Sequence, residues 1–246
     1  MESPLSIPKF PLFFSMYFLI YLLAYFIVFR NWSPKIRPEA SSCSISIFHG
    51  TPAVFLALHA IVSDPNRGFA SPNTKTQALV LDYSIAYFLM DLLHYIVFYP
   101  RDVLFIGHHL ATLFVFLTCR HVVFHGAFSI LSLLILAEVT SACQNAWTLA
   151  SARRHDSEFA AKLYDFLSPY FYAFYIVSRA FLGPYFVYQM GAYYVNGGAD
   201  TLIPKWIWIS WLVVVLMAIS VSILWVSNLC LVLYQESKSK LEKKIT

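Results

Sequence analysis

Charge is what this sequence has least of. Lys, Arg, Asp and Glu make up 12% of its 246 residues, where a soluble domain carries about 25%, so a water-facing globular surface is excluded over most of the chain. Glycine is sparse too, and no glycine-rich phosphate loop, Cys-x-x-Cys pair or His-Glu-x-x-His is present. That removes the commonest nucleotide and zinc chemistries, and neither a cofactor nor a metal is expected. Cys43, Cys119, Cys143 and Cys230 lie scattered, which implies no disulfide framework. The net charge of +4 needs no nucleic-acid partner, because the bias of basic residues to one side of a membrane accounts for it.

What the sequence has instead is apolar residues, 59% of the chain, in runs near the roughly 20 residues that cross about 30 Å of hydrocarbon. Seven candidates are Phe10 to Phe29, Ile45 to Val62, Leu79 to Tyr99, Val103 to Phe124, Ala127 to Ala150, Phe166 to Met190 and Leu202 to Tyr234. The first is too long for a signal-peptide core, and FRNWSP offers no small-residue cleavage site, so it reads as a retained helix. The second is marginal because it starts close to Ser46, His49 and Gly50. The expected fold is an all-α polytopic bundle. Residues 1–43 hold the first helix and a cytosolic loop, 44–234 six further helices, and 235–246 a basic tail.

Placing the N-terminus outside puts eleven Lys and Arg residues in cytosolic segments and five on the other side, with Arg179 inside a helix. The C-terminus is therefore expected in the cytosol, with Asn31 of the Asn31-Trp32-Ser33 sequon unglycosylated. The ending KLEKKIT, with Lys243 and Lys244, resembles the dilysine retrieval signal of endoplasmic reticulum membrane proteins, which coat proteins read from the cytosol.

The polar residues within the runs carry the functional signal. Helices three and four form a hairpin turning at Tyr99-Pro100-Arg101-Asp102. Counting from that turn puts His94 and His108 level, about 10 Å inside the bundle. Asp91 stands one turn from His94, and Thr112 one turn from the adjacent His108 and His109. Adjacent histidines point about 100° apart on a helix, so one can face a cavity while the other bonds a neighbouring helix. On the fifth helix Glu138, Ser141 and Asn145 share a stripe. An unpaired carboxylate at mid-membrane costs at least ~2.5–3.5 kcal/mol on insertion scales, and Arg179 is its expected counter-charge. Gly183-Pro184 should kink the following helix. So many ionisable groups on neighbouring helices are an expensive way to hold a bundle together, and a buried polar cavity is expected. His49, His59, His121 and His125 read as helix-end or loop residues without a role, and Asp82 and Tyr83 as interface residues.

An Asp on one helix, HH-x-x-T on the next, and then LAEVTSACQNAW resemble the TLC-domain superfamily, which includes the ceramide synthases of sphingolipid metabolism and several non-synthase membrane proteins. The resemblance spans roughly Ser44 to Tyr234 and implies six helices in a barrel preceded by one extra. In the synthases the paired histidines serve acyl transfer from acyl-CoA, so the resemblance implies catalytic roles for His108, His109 and Asp91. His94, Thr112, Glu138, Ser141, Asn145 and Arg179 are then expected around a lipid cavity. The chain departs from the synthases at Cys119, Arg120 and Val123, and at Ile130, Leu131 and Leu134, where their motif has polar residues. His155-Asp156 lies too late to replace that second cluster.

Two function classes remain. The first is a protein of lipid homeostasis that binds, senses or moves a lipid in the cavity. The second is an acyltransferase taking acyl-CoA as co-substrate, with a cavity histidine as base or nucleophile oriented by Asp91. A channel is disfavoured, because no selectivity ring is visible. Expected partners are membrane lipids and coat proteins that read the tail, and a homodimer is compatible with this reading.

Overall fold

The computed structural model describes residues 9–245, with side chains as far as residue 234 apart from position 232. Among these residues there is no strand, only an isolated bridge between Pro72 and His125. The chain folds into seven helical rods. The first is α1 (Lys9–Leu23), ending in a π turn at Ala24–Val28; α2 (Arg37–Val62) and α3 (Lys75–Phe98) follow. Next comes α4 (Val103–Leu117) with a π turn at Thr118–Val123. The fifth rod is α5 (Ala127–Glu138) broken from α6 (Ser141–Arg153), and the sixth is α7 (Glu158–Ile176) joined through a π turn, Val177–Leu182, to α8 (Gly183–Val195). The last is α9 (Lys205–Ile245).

Six of the rods are long and apolar enough to cross a membrane by length and composition. The rod from Glu158 to Val195 is not among them. It covers the expected Phe166 to Met190, but Ser168, Pro169, Ser178 and Arg179 dilute its apolar character.

Local chemistry sets the ends. Pro100 and the Asp102 cap, whose carboxylate accepts from the Phe105 N–H, make the α3–α4 turn where the sequence places it. Thr74 and Gln77 form a reciprocal capping box at the start of α3, and Gln77 also donates to Asp64 at 2.9 Å. α2 starts at Arg37 rather than Ile45. Pro38 sits at its first turn, where a missing N–H costs nothing. Ser41 and Ser44 return their hydroxyl protons to the carbonyls of Arg37 and Ala40, so a segment that reads as polar continues the helix.

Rods two to seven form a ring. α2 packs on α3, α3 on α4, α4 on α9, α9 on the α7–α8 rod, that rod on α5–α6, and α6 with α5 back on α2. α1 lies outside the ring against α3 and α2, with Tyr17 and Tyr21, one turn apart, buried in that contact. α3 touches α1, α2, α4 and α5 and is the most buried rod. It carries Asp82, Ser84, Asp91 and His94 because each finds a partner on a neighbour. Asp82 takes a two-pronged ion pair from Arg120 at 2.9 and 3.1 Å, and Tyr83 donates to the Phe48 carbonyl, so both are interface residues as expected.

Candidate functional site

Asp91 is a tie between three helices. The hydroxyl of Ser42 on α2 donates to its Oδ1 at 2.6 Å, and Nε2 of His109 on α4 lies 2.9 Å from Oδ2. His109 Nδ1 is 2.8 Å from the Phe105 carbonyl, one turn back on its own helix. A carbonyl only accepts, so Nδ1 carries a proton there, and Nε2 shares a further proton with Asp91. The pair is therefore either imidazolium with carboxylate or two neutral groups with the proton on the acid. Ser42, Asp91 and His109 are all buried, and both ring nitrogens of His109 are committed.

His94, one turn along α3 from Asp91, faces the other way. Its Nδ1 meets the Tyr21 hydroxyl of α1 at 2.9 Å, and its ring packs among Tyr21, Tyr95 and Phe98. It is an anchor for the outer helix and lies away from the cavity.

His108 goes where His109 does not. The two rings are nearly perpendicular, at 89° with centroids 5.6 Å apart. His108 lines a cavity of about 160 Å³ inside the ring, together with Thr112, Glu138, Ser178, Arg179 and Ser222. Phe88, Ile130, Leu134, Val215 and Ile219 are among the apolar residues that complete the wall. Among the described residues neither ring nitrogen of His108 has a hydrogen-bond partner, and the residue is exposed. It is the imidazole available to a ligand.

Glu138 and Arg179 both line the cavity, but the expected ion pair between them is not formed. Arg179 Nη2 donates instead to the Ala137 carbonyl at 2.7 Å. The physical reason is the break after Glu138: where α5 stops, its last carbonyls lose their helical donors, and the partial negative charge of that end attracts the guanidinium. The guanidinium also lies over the Tyr175 ring, 5.5 Å from its centroid. The π turn that carries Arg179 precedes Gly183-Pro184, where the proline lacks the N–H that a regular helix would use.

Glu138 turns instead toward His49 of α2, whose Nδ1 lies 3.8 Å from Oε2. The approach is possible because the neighbour of His49 is Gly50, where an added Cβ would fall 2.8 Å from Glu138 Oε2 and from the Ser141 Cβ. Ser141 is thus a packing partner of α2. Asn145 folds back on it, its amide donating to the Ser141 carbonyl at 2.8 Å and hydroxyl at 3.2 Å. Neither lines the cavity, in contrast to the expectation from their shared stripe with Glu138.

His49 has no role in the sequence reading, yet it is fully buried at 0% exposure in the middle of the bundle. A signal for it exists in the spacing of Ser42, Ser46 and His49, four and three apart on one face of α2. That face meets Asp91, Tyr87 and Ser84 of α3. Among the described residues no group of three His, Cys, Asp or Glu side chains converges as a metal site. The side chains of Lys243 and Lys244 lie outside the described residues.

The geometry is matched by sequence likeness. Residues 39–231 match the model of the TLC domain. A TLC domain-containing protein of Arabidopsis thaliana is 65% identical over 246 residues, covering 98% of this chain and 97% of the relative. No solved structure matches. A six-rod ring with an outer first helix and a match over most of its length agree, and the chain belongs to the TLC domain family.

Proposed function

We propose that the chain is a multi-pass endoplasmic reticulum membrane protein that holds the head group of a membrane lipid in the cavity of His108, Glu138 and Arg179. It acts in lipid homeostasis by binding, sensing or moving that lipid. One observation carries this reading over catalysis: Asp91 is spent on His109, which is sealed from the cavity, while the accessible imidazole of His108 has no carboxylate to orient it. An apolar wall interrupted by a few convergent polar groups suits a ligand with a polar head and a hydrocarbon body. The distribution of basic residues and the KLEKKIT ending support the endoplasmic reticulum location with a cytosolic C-terminus.

The second reading is an acyl-CoA-dependent acyltransferase, favoured by the unengaged nitrogens of His108, which would serve as base or acyl acceptor. One experiment separates the two. The lipids of cells lacking the protein are compared after complementation with wild type or with His108→Ala, and the purified protein is supplied with acyl-CoA. Lipid co-purifying with the wild type and lost with His108→Ala, with no acylated product, supports binding. An acyl-enzyme or acylated lipid that requires His108 supports transfer.

A further inference from the structure

His49 lies behind the cavity wall, and its surroundings fix how it is held. Its ring stacks on Tyr87 at 4.0 Å between centroids and 7° between planes, with Tyr83, Phe88 and Tyr17 around it at 5.5, 5.7 and 6.3 Å. Nε2 is 3.1 Å from the Ser84 hydroxyl. Nδ1 has no hydrogen-bond partner among the described residues and faces Glu138 Oε2 at 3.8 Å. The side chain of Glu138 is itself only 11% exposed, on the cavity side.

Two lone pairs do not face each other across such a gap in an apolar interior, so a proton lies between Nδ1 and Oε2. Two features place it on the ring. The Ser84 hydroxyl can donate to Nε2, which leaves a neutral imidazole with its proton already on Nδ1, so the ring adds no charge of its own and the one charge of the pair is that of Glu138. Arg179, on the same wall, favours a negative Glu138 from the other side. Of the remaining neighbours, Tyr17, Tyr83, Tyr87 and Ser141 bring no charge, His108 on the same wall favours the carboxylate whenever it is protonated, and His109 acts together with Asp91 as a pair that is neutral overall.

We infer that His49 is a positioning residue that keeps Glu138 as a carboxylate, so that this point of the cavity accepts hydrogen bonds from hydroxyl or other donor groups of a ligand. The inference bears on the cavity proposed above to hold a lipid, but its test reads a carboxyl group and needs no lipid. Failure of one is therefore distinguishable from failure of the other.

The test is infrared spectroscopy of the full chain in lipid nanodiscs, with the Glu138 band assigned by subtracting the spectrum of Glu138→Gln. Wild type should show the carboxylate stretch and no protonated-acid band for this residue. His49→Phe keeps a ring on Tyr87 but removes the donor, and the Glu138 band should move to the protonated acid. His49→Asn, whose amide nitrogen falls near the position of Nδ1, should return it to the carboxylate. A purely structural role would leave the band in place in all folded variants, and a carboxylate persisting in His49→Phe overturns the inference. Should His49→Phe fail to fold, a protonated-acid band in wild type or in His49→Asn overturns it equally.

Discussion

Asp91 and His109 face each other across 2.9 Å with both side chains about 95% removed from solvent, so the half of the histidine pair held by a carboxylate is the half that cannot meet a ligand. Removing one member leaves the other buried and uncompensated, at a cost of ~3–5 kcal/mol. Asp91→Ala and His109→Ala should each lower the melting temperature sharply, and the double variant should lose less than the sum. Strictly additive losses across the four-protein cycle would show that the two do not interact.

Accessibility should follow the cavity. A cysteine replacing His108 should react with an amphiphilic maleimide and be protected by bound long-chain lipid, while one replacing Leu113, 6% exposed on the same helix, should stay unmodified. Equal labelling at both positions would contradict the placement of the cavity.

At Gly50 the spacing between α2 and the α5–α6 break is set by a single hydrogen atom. Gly50→Ala places a methyl group 2.8 Å from Glu138 Oε2 and the Ser141 Cβ, an overpacking that costs ~1–3 kcal/mol. Adding Ser141→Gly should recover part of the loss in thermal unfolding. An unchanged melting temperature for Gly50→Ala would mean that the helices are free to separate.

Topology gives the fourth expectation. A C-terminal tag should be digested by protease in sealed microsomes, and Asn31 should carry no glycan. Replacing Lys243 and Lys244 with Ser should let the protein reach later compartments. A distribution that does not change would reduce the ending to a basic tail.

The sequence makes the rods legible because apolar length reports membrane thickness directly, and the α3–α4 turn because Pro100 and Asp102 act on their immediate neighbours. Divergence of the two histidines is legible as well, since helical geometry alone turns them apart. The pairing of Glu138 is not. Charge bookkeeping along the chain points to Arg179, but the outcome depends on a helix break that frees the Ala137 carbonyl and on the close approach that Gly50 allows. His94 and Asp91 show the same limit from the other side: one turn apart on one helix, they bond to different neighbours, because α3 is surrounded.

The π turn at Val177–Leu182 gives the site a sensitivity to chain length that composition would not reveal. A π turn holds one residue more than the α-helical turn it replaces, so deleting a single residue there would let the rod close into regular helix. Because the wider turn had absorbed the extra residue, α7 and α8 would keep nearly their facing, and only the residues of the turn itself, Arg179 among them, would be re-aimed, away from the α5 terminus. In this protein a one-residue deletion between Tyr175 and Gly183 should be milder for folding, and harsher for the cavity, than most substitutions on the same stretch.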